Sequence, residues 1–254
     1  MSDNKDLLCG VNPILEKLKT TPSEIAEIII AEGSQRPALR GIESEARRQR
    51  VRLTYRSSRI LDQMAQGLRH QGVLARVKAF SYFPFSELEQ SIKTYRGAHW
   101  ILLMDGLTDP RNFGALLRTA EAVGVRHILI PQDRSVGITP TVAKASAGAI
   151  NHLRVCRVTN LRRAIMALKN WGFWIVGLDA QSPAEIYSKN YPDRIGIVIG
   201  SEGYGIRPLI RQECDFLVSI PMCGKIASLN VSVAGAVFLY ELLRQTRSID
   251  KGGG

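Results

Sequence analysis

The chain has 254 residues, 45 % of them hydrophobic, and sets 34 Lys and Arg against 23 Asp and Glu for a formal net charge of +11. That length suits one large or two modest domains with a real core, and the charge points to an anionic partner, nucleic acid before an acidic membrane surface. Cys9, Cys156, Cys214 and Cys223 are scattered, without a C-x-x-C pair or paired His, which argues against a zinc site or a disulfide framework and for a reducing cytoplasm. No run approaches the roughly 20 apolar residues of a membrane helix, and the polar residues 2–6 are no signal peptide.

The N-terminal part alternates short elements. Asn12 and Pro13 open a helix through Leu15 and Leu18, residues 25–31 form a strand and residues 37–48 a basic helix. Another strand covers 51–55, Ser57 or Ser58 caps a helix through Met64, and 72–77 make a last strand. Arg36, Arg40, Arg47, Arg48, Arg50, Arg52, Arg56 and Arg59 face only Glu43 and Glu45 nearby. A charge run is as often a merely solvated face. This one is one-signed and made of Arg, whose planar fork binds phosphate bidentately, so it reads as a nucleic-acid surface. Arg69, His70 and Gln71, between Gly67 and Gly72, form a loop expected to meet RNA, although a lone His is more often structural. Aromatic Phe80, Tyr82, Phe83 and Phe85 mark a linker that packs against a domain, because flexible linkers are poor in aromatics. The expected division is an N-terminal α/β module at 1–77, a linker at 78–97, a second domain at 98–247 and an unstructured tail at 248–254.

From Trp100 a strand–helix rhythm sets in. Strands are expected at 100–104, 127–130, 153–158, 173–178, 195–199 and 216–220. Helices are expected at 113–123, 139–147, 161–170, weakly at 184–188, then at 207–213 and 229–245. Short continuous apolar strands alternating with helices predict an α/β fold, a parallel sheet covered on both faces, with ligands beyond the carboxyl ends of its strands.

Three strand ends carry polar residues. After Met104, Asn112 is expected to cap a helix whose core face is Phe113, Leu116, Leu117, Ala120 and Val123. Arg111, Ala115 and Arg118 share another face, two guanidinium groups with a small residue between them, room for a phosphate; Glu121 could hold Arg118. After Ile199, the loop Gly200-Ser201-Glu202-Gly203-Tyr204-Gly205 spaces its glycines G-x-x-G-x-G, unlike a dinucleotide fingerprint, and Glu202 reads as an orienting hydrogen-bond group. The third is Ile220 to Asn230, strand to loop to helix, with Ser228 as expected N-cap of a helix apolar on nearly every face, hence central to its domain or half of a subunit interface. No Ser-His-Asp or Cys-His set, metal cluster or P-loop lysine accompanies them.

Taken together, Asn112-Phe113-Gly114-Ala115-Leu116-Leu117-Arg118-Thr119-Ala120, Ile199 to Gly205 and Ile220-Pro221-Met222 through Ser228-Leu229-Asn230-Val231-Ser232-Val233-Ala234 resemble the three motifs of the SpoU/TrmH group of SPOUT RNA 2′-O-ribose methyltransferases. The likeness spans about residues 97–245 and includes Lys144 to Ala149. Gly10 to Ile14 and His70 to Val73 are similar to the substrate-binding domain of the bacterial 23S ribosomal RNA guanosine-2′-O-methyltransferases. The resemblance implies a homodimer, S-adenosylmethionine as methyl donor and a C-terminal trefoil knot. It further implies cofactor contacts from the main chain of Gly200, Ile220 and Leu229, and polar site positions at Asn112, Arg118, Glu202, Ser228 and Asn230, with no metal. Arg36, Arg40, Arg47, Arg48, Arg50, His70 and Arg111 are the expected RNA contacts. Arg118 is expected to bind the phosphate beside the target nucleotide, with that phosphate or Arg118 taking the proton. The expected partner is ribosomal RNA, naked or in an assembling large subunit. A transfer RNA methyltransferase and a non-catalytic ribosome assembly factor are the competing readings.

Overall fold

The computed structural model describes residues 7–251 except 35, 79, 95–96 and 227, with backbone alone at 140 and 247–251. Two compact units divide the chain, residues 1–81 and 82–254.

In the first unit a four-stranded sheet has the order β1 (Leu7–Cys9), β4 (Val73–Val77), β2 (Ile25–Ala31), β3 (Leu53–Arg56), with β2–β3 parallel and the other two pairs antiparallel. β2 carries the apolar run Ile28 to Ala31 because both its faces are covered. Ile28 and Ile30 pack with Ile14, Leu18, Leu39 and Ile42 of helices α1 (Val11–Thr20) and α2 (Pro37–Arg48). Ile29 and Ala31, pointing the other way, pack with Leu61 and Ala65 of α3 (Ser58–Ala65). The short strand β1 had no sequence signal, being too brief to show a period.

The second unit holds a six-stranded parallel sheet in the order β10 (Phe216–Val218), β8 (Trp174–Leu178), β9 (Arg194–Gly200), β5 (His99–Asp105), β6 (His127–Pro131), β7 (Arg154–Val158). One face packs against α4 (Phe85–Lys93), α7 (Leu161–Asn170) and α8 (Pro208–Arg211) through Leu88, Ile92, Ile165, Leu168 and Ile210. On the other face α5 (Pro110–Ala122) lies between α6 (Pro140–Ala145) and α9 (Val231–Lys251). Close packing there requires glycine: a Cβ on Gly114 would sit 2.4 Å from the Cβ of Ala145, and one on Gly235 would sit 2.5 Å from Leu116 and 2.8 Å from Ile199. The segment read as a linker carries α4, whose Leu88 and Ile92 are buried in this core.

Several boundaries move. β10 stops at Val218, so Ile220 and Pro221 have left the sheet, since Ser219 pairs instead with Ala184 and Ile186. Only a 3-10 turn, Ile186–Ser188, forms in the weakly helical stretch. α9 runs to Lys251, into the expected tail; residues 252–254 and 1–6 lie outside the described set. α9 is also less uniformly apolar than its sequence reads. Phe238, Leu239 and Leu242 are buried with Glu241, whose carboxylate is satisfied by Arg244 at 2.7 and 2.8 Å and by Gln245 at 2.7 Å. No helix among the described residues is long and apolar enough to cross a membrane, and all four cysteines are free.

A buried histidine pair lies at the start of β5 and β6. His99 Nε2 and His127 Nδ1 are 3.0 Å apart, and His127 Nε2 is 2.9 Å from Ser91 Oγ, which Arg154 also contacts. One proton fits between the facing nitrogens, so both rings cannot be cationic. Burial first, then nearby arginines at His99 and the His99 ring followed by arginines at His127, holds both rings well below the usual imidazole range. A depressed histidine leaves the unfolded chain binding more protons, so stability is complete above about pH 6.5 and falls as pH drops below it, by up to about 1.4 kcal/mol per pH unit for each ring. Trp100, Trp171 and Trp174 all lie in this unit. Urea unfolding followed by tryptophan fluorescence should therefore show a lower midpoint at pH 5.5 than at pH 7.5, and replacing both histidines by Phe should flatten much of the difference.

Candidate functional site

The sheet winds outward in both directions from β5 and β9, which pair in register from His99 opposite Arg194 to Asp105 opposite Gly200. Where the winding direction changes, the loops leaving neighbouring strands part and open a crevice beyond their carboxyl ends. All three polar strand ends lie on that side.

β5 ends in Asp105, which is fully buried and accepts from Arg207 at its backbone N (2.8 Å) and Nε (2.7 Å), with Nη2 at 2.6 Å. This pair ties the exit of the glycine loop to the centre of the sheet. The chain then turns at Gly106 (φ +81°) toward α5. Here Asp109, rather than Asn112, is the cap: its carboxylate accepts from the N–H of Arg111 at 2.6 Å and of Asn112 at 3.1 Å. Pro110 explains the shift, because its fixed φ suits the first helical position and Asp caps as well as Asn.

The loop after β9 folds back on its own strand. Ser201 and Gly205 exchange backbone hydrogen bonds of 3.0 Å, and a Cβ on Gly200 would lie 2.1 Å from the Gly205 carbonyl carbon. No side chain fits at Gly200, and the tight return displays Glu202 and an almost fully exposed Tyr204.

Past Ser219, the chain between β10 and α9 runs as an open loop. Among the described residues from 220 to 229 no backbone–backbone hydrogen bond forms, and the side chains of Met222, Ile226 and Leu229 are exposed. Ile220, Ser228 and Leu229, expected at the site, all lie on this loop. Ser228 does not cap α9, which starts at Val231. Asn230 does so, accepting at Oδ1 from Ser232 N (2.9 Å) and Oγ (2.6 Å). Asn230 adjoins the first helical residue, whereas Ser228 stands too far before it.

With their capping roles reassigned, the polar residues of the three segments join. Glu202 Oε1 accepts from Asn112 Nδ2, and Asn112 Oδ1 accepts from Asn230 Nδ2 at 3.0 Å. An ionised carboxylate can only accept, so Asn112 must turn its NH₂ to Glu202, which leaves its carbonyl for Asn230 and in turn the Asn230 carbonyl for Ser232. One charge thereby sets the orientation of two amides. Arg118 and Arg111 stand exposed on the outer face of α5 with no ion-pair partner among the described residues, and Glu121 does not engage Arg118. Six residues of helix put Arg118 about 9 Å from Asn112 along the axis. The arrangement offers two unpaired guanidinium groups for phosphate, an oriented polar chain and an unsatisfied main-chain loop with apolar side chains. Among the described residues no three His, Cys, Asp or Glu groups gather as metal ligands.

In the first unit, Arg36 and His70 border one concavity together with Arg69 and Asp62, while Arg40, Arg47, Arg48 and Arg50 project into solvent from α2 and the turn after it. Arg48 is paired with Glu45 at 2.7 Å. Asp105, Arg207, Asp109 and Ser232 escaped the sequence reading. The usable signals were an acid ending an apolar strand and an Asp-Pro pair opening a helix.

The SpoU rRNA Methylase family matches residues 99–240, and a family described as RNA 2'-O ribose methyltransferase substrate binding matches residues 7–83. A 23S rRNA (guanosine-2'-O-)-methyltransferase of Xanthomonas campestris is 40% identical, over 96% of this chain and 98% of that protein. A putative TrmH family tRNA/rRNA methyltransferase of Bacillus subtilis is 39% identical, over 98% of this chain and 99% of that protein. Among solved structures, the SpoU methyltransferase AviRb of Streptomyces viridochromogenes, in complex with AdoMet, superposes with a TM-score of 0.64 at 23% identity, covering 95% of this chain and 90% of that one.

The glycines separate packing from freedom. Gly200→Ala must push the Gly205 backbone away and is expected to cost about 1–3 kcal/mol, a drop of several degrees in Tm. Gly224→Ala, with nothing within 4 Å and no left-handed φ, should leave Tm unchanged. Thermal unfolding of the two variants decides this.

Proposed function

The chain belongs to the SpoU rRNA Methylase family, and on that footing we propose that it transfers a methyl group from S-adenosylmethionine to the 2′-oxygen of a guanosine in 23S ribosomal RNA. The observation that carries this reading is the hydrogen-bonded chain of Glu202, Asn112 and Asn230 at the sheet's switch point, with exposed Arg118 on the same helix as Asn112. The RNA 2'-O ribose methyltransferase substrate-binding match over residues 7–83 and the relative named for guanosine 2′-O-methylation of 23S rRNA support the choice of substrate.

The residues fit the methyl donor. The main chain at Gly200, Ile220 and Leu229 carries the hydrogen-bonding groups, and Met222, Ile226 and Leu229 supply apolar surface for an aromatic base. When bound, the donor supplies an electrophilic methyl group on sulfur. The protein must bring a ribose hydroxyl in line with it and let a proton leave. Arg118 holds the phosphate next to the target nucleotide. Its guanidinium stays protonated and makes a very poor base, so the phosphate it binds takes the proton from the 2′-hydroxyl. Asn112 and Asn230, locked by Glu202, orient the ribose, and Ser228 reaches the bound ligands from the open loop. Arg111 and the arginines Arg36, Arg40, Arg47, Arg48 and Arg50, with His70, hold the RNA.

The same reading includes a trefoil knot around the Gly200–Gly205 and β10–α9 loops and a homodimer. The packing of backbone on backbone at Gly200 supports the former. Exposed Val233 and Tyr240, two turns apart on one face of α9, support the latter. Ribosomal RNA, naked or within an assembling large subunit, places the work in the cytoplasm.

Labelled donor incubated with ribosomal RNA from a strain lacking the protein should label a 2′-hydroxyl of 23S RNA; label found only in transfer RNA would redirect the substrate assignment. Arg118→Ala should lower methyl transfer by roughly a hundredfold or more while donor binding measured by calorimetry stays within a few-fold. Retained turnover would remove Arg118 from the mechanism.

A further inference from the structure

The first unit contains a concavity of about 600 Å³ built from three segments: the turn after β2 (Ala31 to Ser34, with Arg36), Ser58 and Asp62 of α3, and the α3–β4 loop from Gly67 to Gly72. That volume lies in the range of roughly 300–1,000 Å³ typical of sites for one small ligand. No residue of the three methyl-transfer segments lines it.

Its polar groups are held in place rather than loosely displayed. Gly72 N–H donates to His70 Nδ1 at 3.1 Å, so the ring's other nitrogen carries the hydrogen and donates to Asp62 Oδ1 at 2.9 Å. The imidazole is largely covered, whereas 67% of the Asp62 side chain remains exposed. Gln71 is pinned at both ends, its Oε1 accepting from Val11 N at 3.1 Å and its carbonyl from Arg36 Nη1 at 3.2 Å. The loop is wound tightly enough to put Gln66, Gly67, Gln71 and Gly72 at positive φ, two of them non-glycine residues. Strain of that kind persists where surrounding contacts over-determine the backbone, and it clusters at ligand clamps. Leu68, 56% exposed, gives the rim an apolar surface, and Arg69 stands exposed without an ion-pair partner among the described residues.

We propose that this concavity captures one unpaired guanine of the RNA substrate, with the Asp62 carboxylate reading its Watson–Crick edge. A carboxylate only accepts hydrogen bonds, and one donor from His70 leaves Oδ2 and a lone pair of Oδ1 free. Guanine is the standard base whose Watson–Crick edge places two donors side by side, the ring N1–H and the 2-amino group. Adenine and cytosine each pair one donor with an acceptor that would face the carboxylate unfavourably. Leu68 packs on the base face, Arg69 meets the flanking phosphate, and His70 is a positioning residue that aims Asp62. Single-stranded RNA is recognised in this way, through splayed bases read on their edges.

The inference rests on RNA being the substrate of this chain, but its test does not require methyl transfer. Fluorescein-labelled 12-nucleotide oligouridylates carrying one central guanosine, inosine or adenosine are titrated with the full chain and followed by anisotropy. Inosine lacks the 2-amino group. The guanosine oligomer should bind roughly tenfold tighter than the other two, the discrimination a bidentate contact to a base provides. Asp62→Ala, which removes both acceptors from an exposed side chain, should bring all three within twofold. Arg69→Ala should weaken all three alike by several-fold. Equal binding of the three oligomers by the parent chain, or a guanosine preference that survives Asp62→Ala, overturns the proposal. A preference dependent on Asp62 in a chain that labels no ribosomal RNA would sink the methylation reading and leave this one standing.

Discussion

One carboxylate organises the candidate site. Glu202 belongs to a segment 90 residues from Asn112, which is itself 118 residues from Asn230. The three meet because their strands or helices end on one side of one sheet. The chain has a direction: it starts at a group that can only accept, so every amide downstream must turn one way. Asparagine is suited to this role because it both donates and accepts. An aspartate at either amide position would face a lone pair against a lone pair. The orientation of the site is thus set by one side chain on a tightly folded loop rather than by each residue separately.

That loop depends in turn on close approach and on a buried charge. Gly200 is covered by the backbone of Gly205, and Arg207, just after the loop, reaches the fully buried Asp105 with three donors. A buried carboxylate without partners would be costly. Here the Arg207 pairing satisfies it and anchors the loop to β5, next to the strand from which the loop leaves. The loop between β10 and α9 is held in the opposite manner. From residue 220 to 229 it makes no backbone–backbone hydrogen bond among the described residues, so its polar groups remain available to a ligand. A rigid return on one side of the crevice and an unsatisfied strap on the other suit a site that must grip a cofactor and admit a polymer.

The positive charge is divided in kind. On α2 and beyond, arginines stand in solvent and can follow a phosphate backbone without reading sequence. The α3–β4 loop is different, since its imidazole is locked in one tautomer and holds the Asp62 carboxylate of α3. On the proposed reading, attraction and discrimination would reside on different segments of the same small unit.

The residue pattern alone was enough for the α/β class, for most strands and helices and for the three polar strand ends, because continuous apolar strands and helix-spaced apolar residues are local signals. It was enough, too, for the family resemblance, which depends on residue types in order. Capping was misassigned at both important helices. Asn112 and Ser228 are good caps in isolation, but Asp109 with Pro110 and Asn230 hold those positions, and cap geometry is decided within one turn by which neighbour reaches the free N–H groups. The expected Arg118–Glu121 pair does not form, since an exposed pair gains too little to fix two long side chains. What only the tertiary structure could decide was which polar groups meet: Glu202 with Asn112 and Asn230, Asp105 with Arg207, His70 with Asp62. The first two depend on how strands and loops distant in sequence are ordered in space, and the third on how the loop after α3 folds back over eight residues; no local periodicity encodes either.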